Sequence, residues 1–326
     1  MRAFDRIEDI RVAWERALER EISRFPFSAT PRVDPGSKDA RVPLDEIIAG
    51  RVWRVARDAA ERLGCTDRFE LVQTPAARLG GAQLLNHSCA PFVIRLIGPT
   101  ARLLDDAALR GLIGHEVGHF LALGPHARPS SSILEDRDVS IATRWLCHMA
   151  SELTAERFAL LAAGELEALV RFEVCDFTWD DPKALGVSER EYLAQACERI
   201  ETGRSDPFRR TSPCISSDFR LYASALFERS DVWRELSGSG TGELTLRDVD
   251  AELYARCKEA ATRLPATSNS AADKVAIRPP PTRSERARDS LSETGVAVAF
   301  GLGALARELE GLFGKLSPSH RRTGDS

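Results

Sequence analysis

Gly114-His115-Glu116-Val117-Gly118-His119-Phe120 is the stretch on which the reading of this chain turns. It carries the pattern H-E-x-x-H. On an α-helix, positions i and i+4 lie on one face, a turn apart. His115 and His119 can therefore aim both imidazoles at one metal ion. Glu116 follows the first histidine by about 100° of helix rotation, at the edge of that face. From there its carboxylate can hold a water beside the ion and take its proton. With 6 histidines among 326 residues, chance rarely produces this arrangement. Leu109, Leu112, Ile113, Val117, Phe120 and Leu121 recur at helical spacing around it. They predict an amphipathic helix with one buried stripe. Asp105 and Asp106 put acidic groups where its first turn begins.

Upstream of this helix the texture is that of strands. Phe69–Gln73, Gln83–Asn86 and Phe92–Ile97 are short, partly β-branched runs bounded by Pro and Gly. Before them, a helix is expected from about Leu44 to Leu63, with Ile47, Ile48, Val52, Val55 and Ala59 on one side and Gly64 ending it. Residues 1–24 show an interrupted apolar stripe through Ile7, Ile10, Val12, Trp14, Leu18 and Ile22. Pro26, Pro31, Pro35 and Pro43 mark residues 25–45 as a connector. Downstream, the polar connector Gly124–Ser132 leads to a second long helical region, from Ile133 to about Ala163. Residues 165–262 look mostly helical, with a break at Thr202–Ser217. The predicted domains are thus an N-terminal helix and connector (1–45), a main domain (46–264), a linker (265–283) with Pro279-Pro280-Pro281, and a C-terminal helix with a polar tail (284–326).

Composition narrows the function classes. Apolar residues are 43% and charged residues 29% of the chain, ordinary for a soluble protein. A formal net charge of −4 gives no basis for nucleic-acid binding. No run of 18 apolar residues predicts a transmembrane helix. Residues 1–27 lack the apolar core of a signal peptide, and a cytoplasmic location is expected. The 7 cysteines are odd in number, irregularly spaced and without C-x-x-C, so free thiols are expected rather than a disulfide framework or a cysteine zinc cluster.

A catalytic zinc takes three protein ligands and keeps one open position. Glu152 is the candidate third ligand, 33 residues after His119 on a separate predicted helix. Glu156 lies one turn further on the same face and can receive the ring N–H of a ligating histidine. The competing structural reading is that both are solvated charges on a helix surface. Together with H-E-x-x-H they point to one zinc per chain.

These two segments resemble a known family. D-D-A-A-L-R-G-L-I-G-H-E-V-G-H, from Asp105 to His119, is similar to the metal helix of the zinc endopeptidases (gluzincins) related to the heat-shock protease HtpX and the CAAX prenyl protease. S-E-L-T-A-E-R-F-A-L-L, from Ser151 to Leu161, resembles that family's E-x-x-A-D motif. The resemblance implies Glu152 as third zinc ligand, with Glu156 standing where the family has Asp. It implies a mostly helical α+β fold: a zincin-like core with a small sheet before the metal helix and a second helix carrying the third ligand. It also implies a peptide or protein substrate, with Glu116 as general base. The family's His-Pro and following Arg correspond here to Ser212-Pro213 and Arg220, with Ser replacing His. The resemblance spans about residues 50–235, and the transmembrane helices of the membrane-bound members are missing, as for a soluble member. ImmA-type regulatory peptidases also follow H-E-x-x-H with E-x-x-A-x-x-F-A, which Glu152, Ala155, Phe158 and Ala159 satisfy. The strand before the metal helix and the Ser-Pro…Arg segment favour the first family.

Within that reading, Arg220 is the expected donor to the tetrahedral oxyanion, with His126 and His148 as weaker candidates and His87 weighed beside them. Substrate is expected to add to the sheet along Phe92–Ile97, read as the edge strand. A catalytically inactive interaction or regulatory module is the main alternative; the intact Glu116 speaks for the enzyme. A cysteine hydrolase using Cys147 or Cys89 is weaker, because Cys147 and His148 diverge by about 100° as helix neighbours. In the C-terminal helix, Val296, Phe300, Leu302, Leu305, Leu309 and Leu312 make an apolar face. That face can fold back on the chain, fill a partner's groove, lie on a membrane surface or cover the active site.

Overall fold

In the computed structural model, described residues are 10–15, 18, 42–74, 81–85, 91–123, 140–178, 186–208 and 215–263. The chain divides into two units, Met1–Ala266 and Thr267–Ser326, and the described residues all belong to the first. The expected C-terminal helix, its linker, most of the N-terminal helix and connector, and the Gly124–Ser132 connector lie outside them.

A mostly helical chain is built around a small mixed sheet. The order is β1 (Val42–Pro43), α1 (Glu46–Leu63), β2 (Phe69–Thr74), β3 (Gly81–Leu85), β4 (Phe92–Ile97), α2 (Thr100–Leu103), α3 (Asp106–Leu123), α4 (Ile141–Ala163), α5 (Leu166–Thr178), α6 (Glu189–Glu201), α7 (Ser217–Glu228), α8 (Asp231–Ser237) and α9 (Leu246–Thr262). The sheet order is β1-β2-β4-β3. β2 and β4 are parallel, and the other two pairs are antiparallel. Phe92–Ile97 is therefore an interior strand, not the expected edge: β3 folds back along it and takes the outer place. Phe92, Ile94 and Leu96 are fully buried on one face of β4. Leu71 and Leu84 stand beside Ile94 on that face, giving the apolar layer against which the helices pack.

The ends of the helices are set by local chemistry. Asp105 Oδ1 accepts the Ala108 N–H at the start of α3. Ser140 accepts the Thr143 N–H at the start of α4. Gly64 closes α1 with φ 72°, the left-handed conformation that favours glycine. One expected pattern fails in α1. Ile47 and Ile48 are 93% and 61% exposed, whereas Val55, Ala56, Ala59, Ala60 and Leu63 are buried. Ala49 has non-helical angles (φ −139°, ψ 48°). This break rotates the first turn out of register with the rest, so its isoleucines miss the core.

The helix bearing H-E-x-x-H also departs from expectation. Instead of showing one buried stripe, α3 is buried at every residue from Gly111 to His119. It lies between α1, the sheet, α4 and α5. α4 is buried on two sides. Phe158, Ala159 and Ala162 join the core shared with α3, and Leu146, Met149 and Leu153 join a second core with α7 and α9. The N-terminal residues are tied to the back of α4 by polar groups: Thr154 Oγ1 accepts from Val12 N (3.1 Å) and donates to Glu15 (2.8 Å). Buried Arg157 donates to Ile10 O and pairs with Asp250 of α9.

What lets α3 and α4 approach closely is the absence of side chains at three positions. A Cβ at Gly118 would sit 2.6 Å from Phe158 Cβ, and one at Gly111 would sit 2.9 Å from Leu169 Cδ2. At Gly114 it would overlap Ala162 Cβ outright. Gly118→Ala is therefore expected to destabilise the fold by about 1–3 kcal/mol through overpacking. Gly50→Ala, in a helix with nothing within 4 Å of the added methyl, should stabilise by about 0.5–1 kcal/mol. Urea unfolding of the two variants measures both, and like-signed effects would refute the close-approach argument.

Candidate metal centre

α3 and α4 cross where their functional side chains lie. His115 and His119 come from α3, and Glu152 from α4. The two Nε2 atoms are 3.1 Å apart. Glu152 Oε2 is 3.6 Å from His115 Nε2, and Oε1 is 3.5 Å from His119 Nε2. These three residues could hold a metal ion. Ligands about 2.05 Å from a tetrahedral centre stand about 3.3 Å from one another. The nearest distances, 3.1 to 3.6 Å with a different oxygen of Glu152 towards each ring, bracket that spacing, so the three residues fit such an ion.

The far side of each imidazole is also engaged by α4. Glu156 Oε1 lies 3.1 Å from His115 Nδ1, a close ion-pair contact. Ser151 Oγ lies 3.4 Å from His119 Nδ1. With Nδ1 held in this way, Nε2 is the nitrogen left facing the centre. α7 adds Arg220, whose guanidinium donates to Glu152 Oε2 (2.9 Å) and to Glu156 Oε1. Its Nε is 3.9 Å from Glu173, a buried carboxylate of α5. Arg220 thus faces the carboxylates around the ligand triangle, the geometry of a residue that positions Glu152, whereas an oxyanion donor was expected. His148 Nδ1 is 3.9 Å from Glu152 Oε1, one turn earlier on α4. His126, His87, Cys89, Ser212 and Pro213 lie outside the described residues. Cys147 is buried in the second core.

Glu116 is buried and turned towards the sheet. Its Oε2 accepts the main-chain N–H of Leu84 in β3 at 2.6 Å. Glu152, Glu156 and Glu173 gather around Arg220, with the two imidazoles against Glu152 and Glu156. Three carboxylates facing one guanidinium and the His115 imidazole leave room for a divalent cation to replace the imidazole's proton.

The pKa shifts follow from this crowding. Burial works against a charge on His115, yet Glu156 and Glu152 outweigh it and push the imidazole up to about 10. Burial also works against the charge on Glu152, but hydrogen bonds from His115 and His119 hold it well below the usual carboxylate range. Glu156 is lowered as well, since the charges of Arg220 and His115 prevail over its burial.

Ser151, Glu173 and the Leu84 N–H escape the sequence reading. For Glu173 a signal existed: a lone acid in the apolar run Ala168-Leu169-Val170-Arg171-Phe172-Glu173-Val174-Cys175. Ser151 and Leu84 carry no comparable mark. No family model matches the chain, and no curated protein or solved structure matches it.

A pH dependence follows. The folded pKa of His115, about 10, lies above its ordinary 6.5. In the metal-free chain its pairing with Glu156 and Glu152 stabilises fully below pH 6.5, and that stability is lost as the pH rises through 10. Metal affinity runs the other way, because the imidazole must lose its proton to become a ligand. At pH 7 each ion taken up should release about one proton. Calorimetry in buffers of different ionisation enthalpy reads that number, and zero release would mean that His115 is neutral before binding.

Proposed function

We propose that this chain is a zinc-dependent endopeptidase. The observation that carries the reading is the convergence of His115, His119 and Glu152 into a group that could hold a metal ion, on a helix that carries Glu116 next to the first histidine. Two histidines and a carboxylate, with a further carboxylate placed as base, are the donor set of peptidase zinc sites. A zinc ion held there supplies Lewis acidity, lowering the pKa of water towards about 7 and polarising a carbonyl. The likeness of Asp105–His119 and Ser151–Leu161 to the HtpX and CAAX prenyl protease family supports the same reading and leads us to place the chain in that family's neighbourhood. Among the described residues no helix is long and apolar enough to cross a membrane.

Each side chain then has a task. Glu116 takes a proton from the attacking water and hands it to the leaving amine. Glu156 and Ser151 fix the two imidazole rings, and Arg220, backed by Glu173, fixes the carboxylate of Glu152. His148, whose Nδ1 is 3.9 Å from Glu152 Oε1, is a candidate donor to a developing oxyanion. An extended substrate adds to the outer edge of β3, which no strand occupies among the described residues and which touches Glu116. This replaces Phe92–Ile97, whose two edges are both paired.

Metal analysis and a peptide-cleavage assay test the reading together. About one zinc per chain is expected in the native protein and in Glu116→Gln. Cleavage is expected only in the native form, with a loss of about 10²–10⁴-fold in the variant. Glu152→Ala should lose the metal. Undiminished cleavage by Glu116→Gln would dismiss the base, and full zinc in Glu152→Ala would transfer the third ligand elsewhere.

A further inference from the structure

The bond between Leu84 N–H and Glu116 is unusual in its two partners. One is the carboxylate that the proposed chemistry needs as a base. The other is a main-chain donor on the outermost strand of the sheet. Residues of an antiparallel strand alternate between pointing their N–H and C=O towards the neighbour and away from it. Leu84 N–H goes to Glu116 and not to Ile94 opposite, so Leu84 points outward, and Ala82, two residues away, does so as well. Gly81 has the opposite phase: its N–H meets Thr100 Oγ1 at 2.6 Å, and that hydroxyl in turn donates to Ile97 O, opposite Gly81. The outward groups of Ala82 and Leu84 are those that an added strand would use. Among the described residues no strand occupies that edge. The base is thus bonded to a donor that an extended polypeptide would claim.

We propose that Leu84 N–H is exchanged between Glu116 and the substrate backbone. This rests on the peptidase reading above. With the edge empty, Leu84 holds Glu116. When an extended chain lines up on β3, a carbonyl of that chain accepts the Leu84 N–H, and the carboxylate is freed to take up its water. The exchange keeps Leu84 N–H bonded throughout, so its cost is confined to freeing the carboxylate of Glu116. A fragment too short to reach Leu84 would leave the base held, since pulling a buried carboxylate off its donor with nothing in return is unfavourable. Selection would then act on an extended main chain of sufficient length, ahead of any side-chain preference.

A double-mutant cycle on the full metal-free chain tests the exchange by binding alone. The probe is a fluorophore-labelled library of ten-residue peptides, followed by anisotropy. Four forms are compared: native, Glu116→Ala, a chain with leucic acid at position 84 (an ester that keeps the side chain and lacks the N–H), and both changes together. Removing the competing carboxylate should tighten binding about tenfold in the amide chain, and by less than about twofold in the ester chain. Glu116→Gln, a closer match in shape, should give a smaller gain, because a neutral amide oxygen accepts more weakly. An equal effect in both backbones, no effect in either, or no binding by any form overturns the exchange. Cleavage by the zinc-loaded native chain is scored separately. Coupling without cleavage would keep the exchange and remove the peptidase reading; cleavage without coupling would do the reverse.

Discussion

The close approach of α3 and α4 is the constraint on which the other features depend. Ligand atoms from two helices reach within about 3.3 Å of each other only if the backbones are close. Here Gly111, Gly114 and Gly118 present no side chain to Phe158, Ala162, Ala163 and Leu169. Glycine lowers the intrinsic stability of α3 by about 0.5–1 kcal/mol per position relative to alanine. Burial of the helix on every side compensates, with Leu109, Ile113 and Val117 fully buried around the motif. A helix exposed on one side could not carry three such glycines so close together and stay as firmly placed.

α4 turns that proximity into chemistry. Within six residues it offers Ser151 to one imidazole, Glu152 to the centre and Glu156 to the other imidazole. Its opposite side carries Thr154 and Arg157 into a second polar set with Glu15, Asp250 and the main chain of residues 10–13. The two sets are separated by less than a helical turn. Breaking a buried ion pair such as Arg157–Asp250 leaves an uncompensated charge, which is strongly destabilising. The N-terminal residues thus help to fix the rotation of the helix that supplies Glu152. On the side of the candidate metal centre, Arg220 and Glu173 do the corresponding work from α7 and α5.

The sheet contributes little area but sets direction. Because β3 folds back outside β4, the outer edge of the sheet among the described residues lies beside Glu116. Strand pairing of this kind cannot be inferred from a list of apolar runs. The three runs looked alike as segments, and only their register separates the interior strand from the outer one.

Much was legible beforehand. H-E-x-x-H at helical spacing, Glu152 and Glu156 one turn apart, and Gly64 after an apolar helix are local patterns, and local geometry alone gives them meaning. The order of helix, short strands and H-E-x-x-H helix was readable for the same reason. Other features depended on long-range placement. Ile47 and Ile48 matched the stripe of α1 by spacing, yet a backbone break at Ala49 turned them to solvent. Arg220 was identified as a site residue, but its partners Glu152, Glu156 and Glu173 are 47 to 68 positions away and on two other helices, so its role waited on packing. Glu173, Ser151 and the Leu84 N–H have no meaning until α5, α4 and β3 are brought to the same place. Periodicity determines which face a residue takes on its own element; which faces meet is decided by burial and close packing of the whole chain.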